Sequence, residues 1–442
     1  MDRPLIEPRT LRGFADLPPV PALHRRRLLR VAEDAFSSFG YDPIQTPALE
    51  HVDVLRGKGG TESDKQMFEF DDQGGRRVAL RFDLTVPLAR FAAQHTELRP
   101  PLRLYQVGYV WRGERPQRGR YREFFQCDAD IIGESGPGGD AEILAMFATA
   151  LSRMDVGAVL LRVNDRRVLN GLLADLGLLD RAVPVLRALD KMEKVGPDAV
   201  RAELAQSGVD GAGADRVLGF AAARGETDEQ TFAAVGELLP GSGEGRAALD
   251  QLRRTVELAA AAGAPAGTLR VDPGIARGLD YYTGLVFETT LLSAPDIGSV
   301  CSGGRYDDLA GLFTRQRLPG VGGSIGLSRL LAALEGTAGL GPARERPLAV
   351  VTNGRDDDLR TLLGIAAGLR ATRALDAEVY PTPVKHATQM KYADTRGARF
   401  VLTLDRDGSV SVKDLRTGER WSAGGQDVAA LLAKAVEVPA GT

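Results

Sequence analysis

Residues 102–133, LRLYQVGYVWRGERPQRGRYREFFQCDADIIG, constrain the fold more than any other stretch of the chain. Side chains alternate on both sides of an arginine-rich loop, with Tyr105, Val107 and Tyr109 before it and Phe125 and Cys127 after it. A period of two on either side of a polar turn predicts a long antiparallel hairpin. The loop carries Arg112, Arg115, Arg118, Arg120 and Arg122, partly offset by Glu114 and Glu123, and is shaped by Gly113, Pro116 and Gly119. Apolar flanking strands present these arginines from a rigid support. Forked guanidiniums suit phosphate, either of a nucleotide or of an RNA backbone. The plainer reading of an isolated basic run is a solvated loop.

Around this hairpin the chain divides by pattern. Residues 21–39 predict a helix with Leu28, Leu29, Ala32, Ala35 and Phe36 on one stripe, stopped at Gly40. YDPIQTPALE reads as a short strand, and RRVALRFDL as a strand running into a helix from about Pro87. A further helix is expected near Asp140–Met154. Residues 165–265 are rich in Ala, Leu, Asp and Arg at helical spacing, which makes them a helical insertion between 1–164 and 266–334. LRVD, GLVFETTLL, SVCSGG and the glycine-rich GVGGSIGL then return to strand patterns, followed by the helix SRLLAALE. Residues 335–347, EGTAGLGPARERP, have the composition of a linker. In 348–442 strands alternate with helices, with a hairpin at SVSVKDL, so a separate α/β domain with a largely parallel sheet is expected.

Composition narrows the class. A chain of 442 residues exceeds one ordinary core, and 43% hydrophobic with 26% charged residues is a globular balance. A net charge of −3 argues against a wholesale polyanion-binding surface, so any nucleic-acid contact must come from a local basic patch. Two cysteines, Cys127 and Cys301, without C-x-x-C, and four histidines without metal spacing, argue against a disulfide framework or a zinc site. No signal-like or membrane-spanning apolar run occurs, and a cytoplasmic location with no membrane partner is expected.

Three further stretches carry chemistry. In GVGGSIGLSR, Gly322, Ser324 and Gly326 share one strand face, where a ligand can approach the backbone, and Arg329 opens the next helix; tight packing is the alternative. No Gly-Lys-Ser/Thr follows, so this is not a Walker loop. Gln126, Asp128 and Asp130 alternate along the second hairpin strand, as Asp83 and Thr85 do in RFDLT. Inward carboxylates are costly unless paired, and they suit an ammonium or a ring N–H, or else salt bridges to nearby arginines. RGLDYYTG places Arg277 beside Tyr281 and Tyr282, which point to opposite faces if extended.

Together these stretches resemble the histidyl-tRNA synthetases of class II over nearly the whole chain. The helix ending in FGYDPIQTPALE, the hairpin VGYVWRGERPQRGRYREFFQCDADIIG and GVGGSIGLSRL look like the three class motifs, and RGLDYYTG and CSGGRYDDL like the two histidine-specific peptides. The resemblance implies an α+β fold, an antiparallel sheet of six to seven strands flanked by helices. It adds a helical insertion and a C-terminal α/β anticodon-binding domain. It implies that L-histidine and ATP give histidyl-adenylate, and that the histidyl group then moves to tRNA-His. By the same resemblance Arg112 contacts the α-phosphate, Glu114 and Phe124 hold adenine, and Arg329 lies on the far side of the nucleotide. Arg277 bridges substrate carboxylate and α-phosphate, and Mg2+ rides on the outer phosphates. Asp83, Thr85 and Gln126 take the α-ammonium. Asp130 and Tyr282 read the imidazole nitrogens, with Tyr281 and Tyr306 nearby. Arg115, Gln117 and Arg118 face the tRNA acceptor end, and the first motif implies a homodimer.

Two departures stand out. Asp405-Arg406-Asp407 replaces a Gly-Glu-x-Glu-like turn of the family, which bears on anticodon reading, and Ser328 stands where a glutamate is common. Competing readings are a histidine-binding regulatory paralogue of ATP phosphoribosyltransferase, a specialised duplicate synthetase, and a purely RNA-binding protein. Arg112, Arg277, Arg329 and the C-terminal domain weigh against the first, and the apolar-framed carboxylates against the last.

Overall fold

The structure is a computed structural model and describes residues 5–56, 66–241, 243–275, 281–335, 343–425 and 427–437. The chain falls into two compact units, Met1–Gly341 and Pro342–Thr442.

The hairpin forms as its alternation predicts. Strands β5 (Leu102–Trp111) and β6 (Glu123–Ile132) pair antiparallel from Leu102 opposite Ile132 to Trp111 opposite Glu123. They lie within an eight-stranded sheet. With β1 (Asp42–Pro43), β7 (Val159–Asp165), β8 (Leu269–Val271), β9 (Leu285–Leu291), β10 (Ser299–Tyr306) and β11 (Gly320–Gly326), its order is β1-β5-β6-β11-β10-β9-β7-β8. The six inner strands are antiparallel; β1 and β8 add in parallel at the edges. The count therefore exceeds the expected six to seven, because two short segments of two and three residues extend the edges. YDPIQTPALE is correspondingly split: Asp42–Pro43 joins the large sheet, while β2 (Leu49–His51) joins a small antiparallel sheet with β3 (Phe68–Asp71) and β4 (Arg77–Leu80).

The pleat separates the large sheet into two chemistries. On one face Cys127, Ala129 and Ile131 of β6, Val321 and Ile325 of β11, Phe287 of β9 and Leu161 of β7 are buried in one cluster. They meet helices Pro19–Ser38 and Pro137–Arg153; the Phe147 ring lies 5.6 Å from Phe36 and 5.7 Å from Phe287. The first helix buries Leu28, Ala32, Ala35 and Phe36 as its periodicity requires, and Gly40 follows it at a φ of +83°. The other face carries Phe124, Gln126, Asp128 and Asp130, the last three opposite Gly326, Ser324 and Gly322 of β11.

Between β7 and β8 the chain is helical, in seven helices from Arg166 to Ala261 among the described residues. Polar side chains start several of them. Asp165 and Asp210 accept from backbone N–H groups of the first turn, and Thr227 with Gln230 forms a reciprocal capping box. Val185, Val217, Phe220 and Leu252 from these helices belong to the same buried cluster as the back of the sheet.

In the C-terminal unit the sheet order is β13-β12-β14-β15-β16, with β12 (Leu348–Val351), β13 (Asp376–Val379), β14 (Phe400–Leu404), β15 (Ser409–Asp414) and β16 (Arg420–Gly424). Strands β13, β12 and β14 are parallel, while β14-β15-β16 are antiparallel. The sheet is therefore mixed rather than largely parallel, because two consecutive tight turns return the chain after β14. All four residues of LAVV are buried, since both faces are covered: Ala349 and Val351 by Leu362, Ala366 and Leu432, Leu348 and Val350 by Ala393. Most of the expected linker, residues 336–342, lies outside the described residues.

Candidate active site

The glycines of β11 exist to let neighbouring side chains lie across the sheet. A Cβ on Gly322 would stand 1.8 Å from Asp130 Oδ1, and one on Gly320 would stand 2.3 Å from the Tyr306 ring. With both positions bare, Tyr306 donates from its hydroxyl to Asp130 Oδ1 at 2.5 Å. A Cβ on Gly304 of β10 would likewise meet the Tyr282 ring at 2.9 Å.

This creates an acidic pocket with aromatic walls. Asp83, Asp128 and Asp130 are each 2% exposed. Burial pushes the Asp130 carboxyl up to about 7 and Asp83 to about 6, and holds Asp128 well above the ordinary carboxylate range. Tyr281 donates to Asp83 Oδ2 at 3.4 Å, and its ring meets Tyr306 and Tyr282 edge-on at 5.9 and 5.0 Å. Burial and then the Asp130 charge raise the Tyr282 phenol.

Asp83 reaches the pocket differently from the expectation. Strand β4 ends at Leu80, and residues 81–84 turn into the helix Thr85–Gln94, which starts before Pro87. A proline suits a first helical turn, where its missing N–H has no intrahelical role. Asp83 Oδ1 accepts from Val86 N at 3.1 Å, capping that helix while Oδ2 faces Tyr281. Gln106 and Arg81 hold the turn: Gln106 Nε2 donates to Leu84 O at 2.6 Å, and Arg81 Nη1 donates to Thr46 O at 2.8 Å. Tyr281 and Tyr282 do not diverge to opposite faces, because they precede β9 in a turn and the Tyr281 ring meets both Tyr282 and Tyr306.

Next to this pocket lies a cationic cleft of about 120 Å³, lined among others by Arg112, Glu114, Arg120, Tyr121, Phe124, Gln126, Ser302, Ser324 and Arg329. Arg112 donates through Nε to Phe82 O at 3.0 Å, and its guanidinium lies 5.2 Å from the Phe124 ring. Arg329 donates to Ser299 O at 2.8 Å and Gly119 O at 3.3 Å. Burial, then the like charges of Arg120 and Arg112, lower Arg329 to about 10. Cations forced together in this way are short of an anion, which is what a phosphate chain supplies.

Thr85, Gln126, Asp130, Tyr281, Tyr282 and Tyr306 thus gather with Asp83 around the acidic pocket, and Arg112, Glu114, Phe124 and Arg329 around the cleft. Arg277 and Asp280 lie outside the described residues. Arg115 and Gln117 are exposed, and Gln117 closes a tight turn with Arg120 through paired backbone bonds of 3.0 and 2.8 Å. Arg118 folds back to donate to Ala332 O at 3.2 Å, which satisfies a carbonyl of the last helical turn. The sequence marks Arg120, Ser324 and Asp128 as candidates for phosphate, ligand approach and an ammonium, but the resemblance gives them no role, and Ser302 is not singled out. Alternation on β10 was the signal that could have placed Ser302. Ser328, the second departure, accepts from Phe125 N at 3.0 Å and so joins the start of its helix to β6.

A family model described as histidyl-tRNA synthetase matches residues 13–330. The chain is 46% identical to the histidine--tRNA ligase of Rhodopirellula baltica, over 96% of both chains. It is 41% identical to that of Wolinella succinogenes, over 95% of this chain and 96% of the other. Among solved structures, a histidyl-tRNA synthetase from Nostoc sp. PCC 7120 superposes with a TM-score of 0.85 at 31% identity, covering 98% of this chain and 99% of that one. A Bacillus halodurans structure described as an ATP phosphoribosyltransferase regulatory subunit/histidyl-tRNA synthetase shares the fold, at a TM-score of 0.72 and 23% identity over 88% of this chain and 97% of that one. With a matching family model over most of its length and such relatives across nearly all of it, the chain belongs to the histidyl-tRNA synthetase family.

Proposed function

We propose that this protein is a histidine--tRNA ligase, which activates L-histidine with ATP to histidyl-adenylate and passes the histidyl group to tRNA-His. The observation that carries the reading is the order of two opposed environments along β6. Phe124 stands in the arginine-lined cleft, Asp130 in the acidic pocket, and Gln126 between them. Six residues of strand span roughly 20 Å, the scale of an amino acid joined to a nucleotide.

In this reading Asp83, Thr85 and Gln126 take the α-ammonium. Asp130 and Tyr282 pair with the imidazole nitrogens, and Tyr281 and Tyr306 fix those groups. An imidazole offers one donor and one acceptor in fixed geometry, so an analogue without them leaves buried groups unpaired. Phe124 stacks on adenine and Glu114 reads its edge. Arg112 and Arg329 neutralise charge as the substrate carboxylate attacks the α-phosphate in line, with positioning and electrostatics supplying the rate. Arg277 is assigned to the carboxylate and α-phosphate on its sequence motif alone. Class II synthetases use ATP and a divalent metal generally; here Mg2+ is assigned as the ion that enters with ATP, and no zinc is invoked.

For tRNA, Arg115 and Gln117 are placed toward the acceptor end, with Arg118 bracing the loop. The C-terminal unit offers a separate cavity of about 940 Å³ lined by Asp405, Ser411, Lys413, Arg420 and Trp421 among others, which we assign to the anticodon. Asp405, from the departing turn, accepts from Ser411 Oγ at 2.5 Å and so shapes that cavity. A homodimer built on the first motif and a cytoplasmic location complete the reading. No helix among the described residues is long and apolar enough to cross a membrane. The regulatory-paralogue reading is not favoured, since full-length relatives carry the ligase name and Arg112 and Arg329 converge on one cleft.

The test is histidine-dependent exchange of pyrophosphate into ATP, followed by charging of tRNA-His. Absence of exchange overturns the reading, and exchange without charging identifies a specialised duplicate. Arg277→Ala is expected to abolish exchange while only moderately weakening histidine binding.

A further inference from the structure

Asp128 is the buried carboxylate of the acidic pocket that the roles above leave unused. It lies on β6 between Gln126 and Asp130, on the same face, opposite Gln106 on one side and Ser324 on the other. The other two carboxylates of the pocket are satisfied in ways that it is not. Asp130 accepts from Tyr306 at 2.5 Å, and Asp83 accepts from Val86 N at 3.1 Å. Asp128 Oδ1, in a residue 2% exposed, has no hydrogen-bond partner.

Ser324 explains which atoms are left open. Gln126 Nε2 donates to Ser324 Oγ at 2.7 Å, and Ser324 in turn hydrogen-bonds Asp128. A hydroxyl has one hydrogen to give, so a serine that accepts from an amide passes its own hydrogen to the carboxylate. This relay does not use Gln126 Oε1, and that atom too is buried without a partner. Two open acceptors thus sit one pleat apart, about 7 Å between Cα atoms, in a pocket already crowded with carboxylates. Leaving a buried acceptor unpaired is costly, and two open acceptors side by side are completed by a donor-rich cation. An ammonium brings three donors and the compensating charge.

We infer that Asp128 is a specificity-determining residue that contacts the substrate: its free Oδ1, with Gln126 Oε1, accepts hydrogen bonds from the α-ammonium of the bound amino acid. The assignment rests on the function proposed above and adds to it a demand for a free, protonated α-amine. The pocket then rejects a ligand that carries the ring alone. The raised Asp128 carboxyl agrees with a group waiting for its cation.

The test compares L-histidine with 3-(imidazol-4-yl)propanoate, which keeps ring and carboxylate but lacks the amine. Affinities for both are measured by calorimetry on the full-length wild type and Asp128→Asn, alongside Tm and the KM for ATP. Expected are a loss of about tenfold or more in histidine affinity, with propanoate affinity and ATP KM within about twofold of wild type. The Tm of the free variant is expected to be no lower, because the lost carboxylate oxygen had no partner. Equal weakening of both ligands overturns the assignment, as a ring contact if Tm holds and as a structural role if it falls. Unchanged histidine affinity overturns it as well. Asp128→Ser serves the same comparison should the asparagine variant fail to fold. A wild type that binds no histidine overturns the proposed function, and this assignment with it; a charging wild type with an unaffected variant overturns this assignment alone.

Discussion

Tyr306 can donate to Asp130 at 2.5 Å only because Gly322, one strand away, has no side chain. The bond joins the end of β10 to the last part of β6 across the bare backbone of β11, within the pocket assigned to the imidazole. The pair is therefore a joint property of three strands.

Gly322→Ala is expected to displace the Asp130 carboxylate, since the new Cβ would lie 1.8 Å from Oδ1. Histidine affinity should fall by about 10- to 100-fold, the worth of a hydrogen bond to a charged group. The KM for ATP should hardly move. Separate titrations of the two substrates check this.

Buried carboxyls make the stability of the free protein depend on pH. Asp130 is pushed up to about 7 and Asp83 and Asp140 to about 6, from an ordinary 3.8, with burial the leading cause in each. The folded chain therefore holds protons that the unfolded chain releases. This contribution is complete below about pH 4 and is lost as pH rises through about 6 and 7. Thermal unfolding at a series of pH values should show Tm falling over that window, and Asp130→Asn should flatten the fall near pH 7.

Arg329→Ala should mainly damage chemistry at the nucleotide. Its charge is held in a cleft with Arg112 and Arg120, where burial and like charge lower it to about 10. Removing a preorganised charge of this kind costs on the order of 10²–10³ in kcat. Histidine affinity should be retained. Pyrophosphate-exchange kinetics with separately measured histidine binding distinguish the two effects.

Arg305 is a structural charge. It is 3% exposed, donates from Nε to Asp140 Oδ1 at 2.9 Å and from Nη1 to Glu134 O at 2.8 Å, and contacts Asp307 at 3.3 Å. Asp307 in turn accepts from Thr283 Oγ1 at 2.9 Å, beside Tyr282. Arg305→Met should cost about 3–5 kcal/mol in denaturant unfolding, because it strands Asp140 without its cation. Adding Asp140→Leu should recover part of that loss.

What the sequence determined by itself was local and periodic. Alternation over 102–133 was enough for the hairpin, since a period of two admits one geometry. The stripe from Leu28 to Phe36 and the stop at Gly40 were enough for the first helix, and the motif order for the family. The positions of Asp130 and Gln126 on β6, of Arg329 on the helix after β11, and of Arg112 at the mouth of the hairpin loop could be read from their motifs. What only the tertiary structure decided involves residues far apart in the chain. Asp83 reads as a strand residue beside its neighbours; only the turn held by Gln106 and Arg81 makes it a helix cap facing Tyr281. The mixed C-terminal sheet and the parallel edge strands depend on which strands meet, and propensity does not encode that. Asp128 carries the same alternation as Asp130. Yet Tyr306 pairs with one, while Ser324 leaves Oδ1 of the other open, because partners come from strands some 170 to 200 residues away.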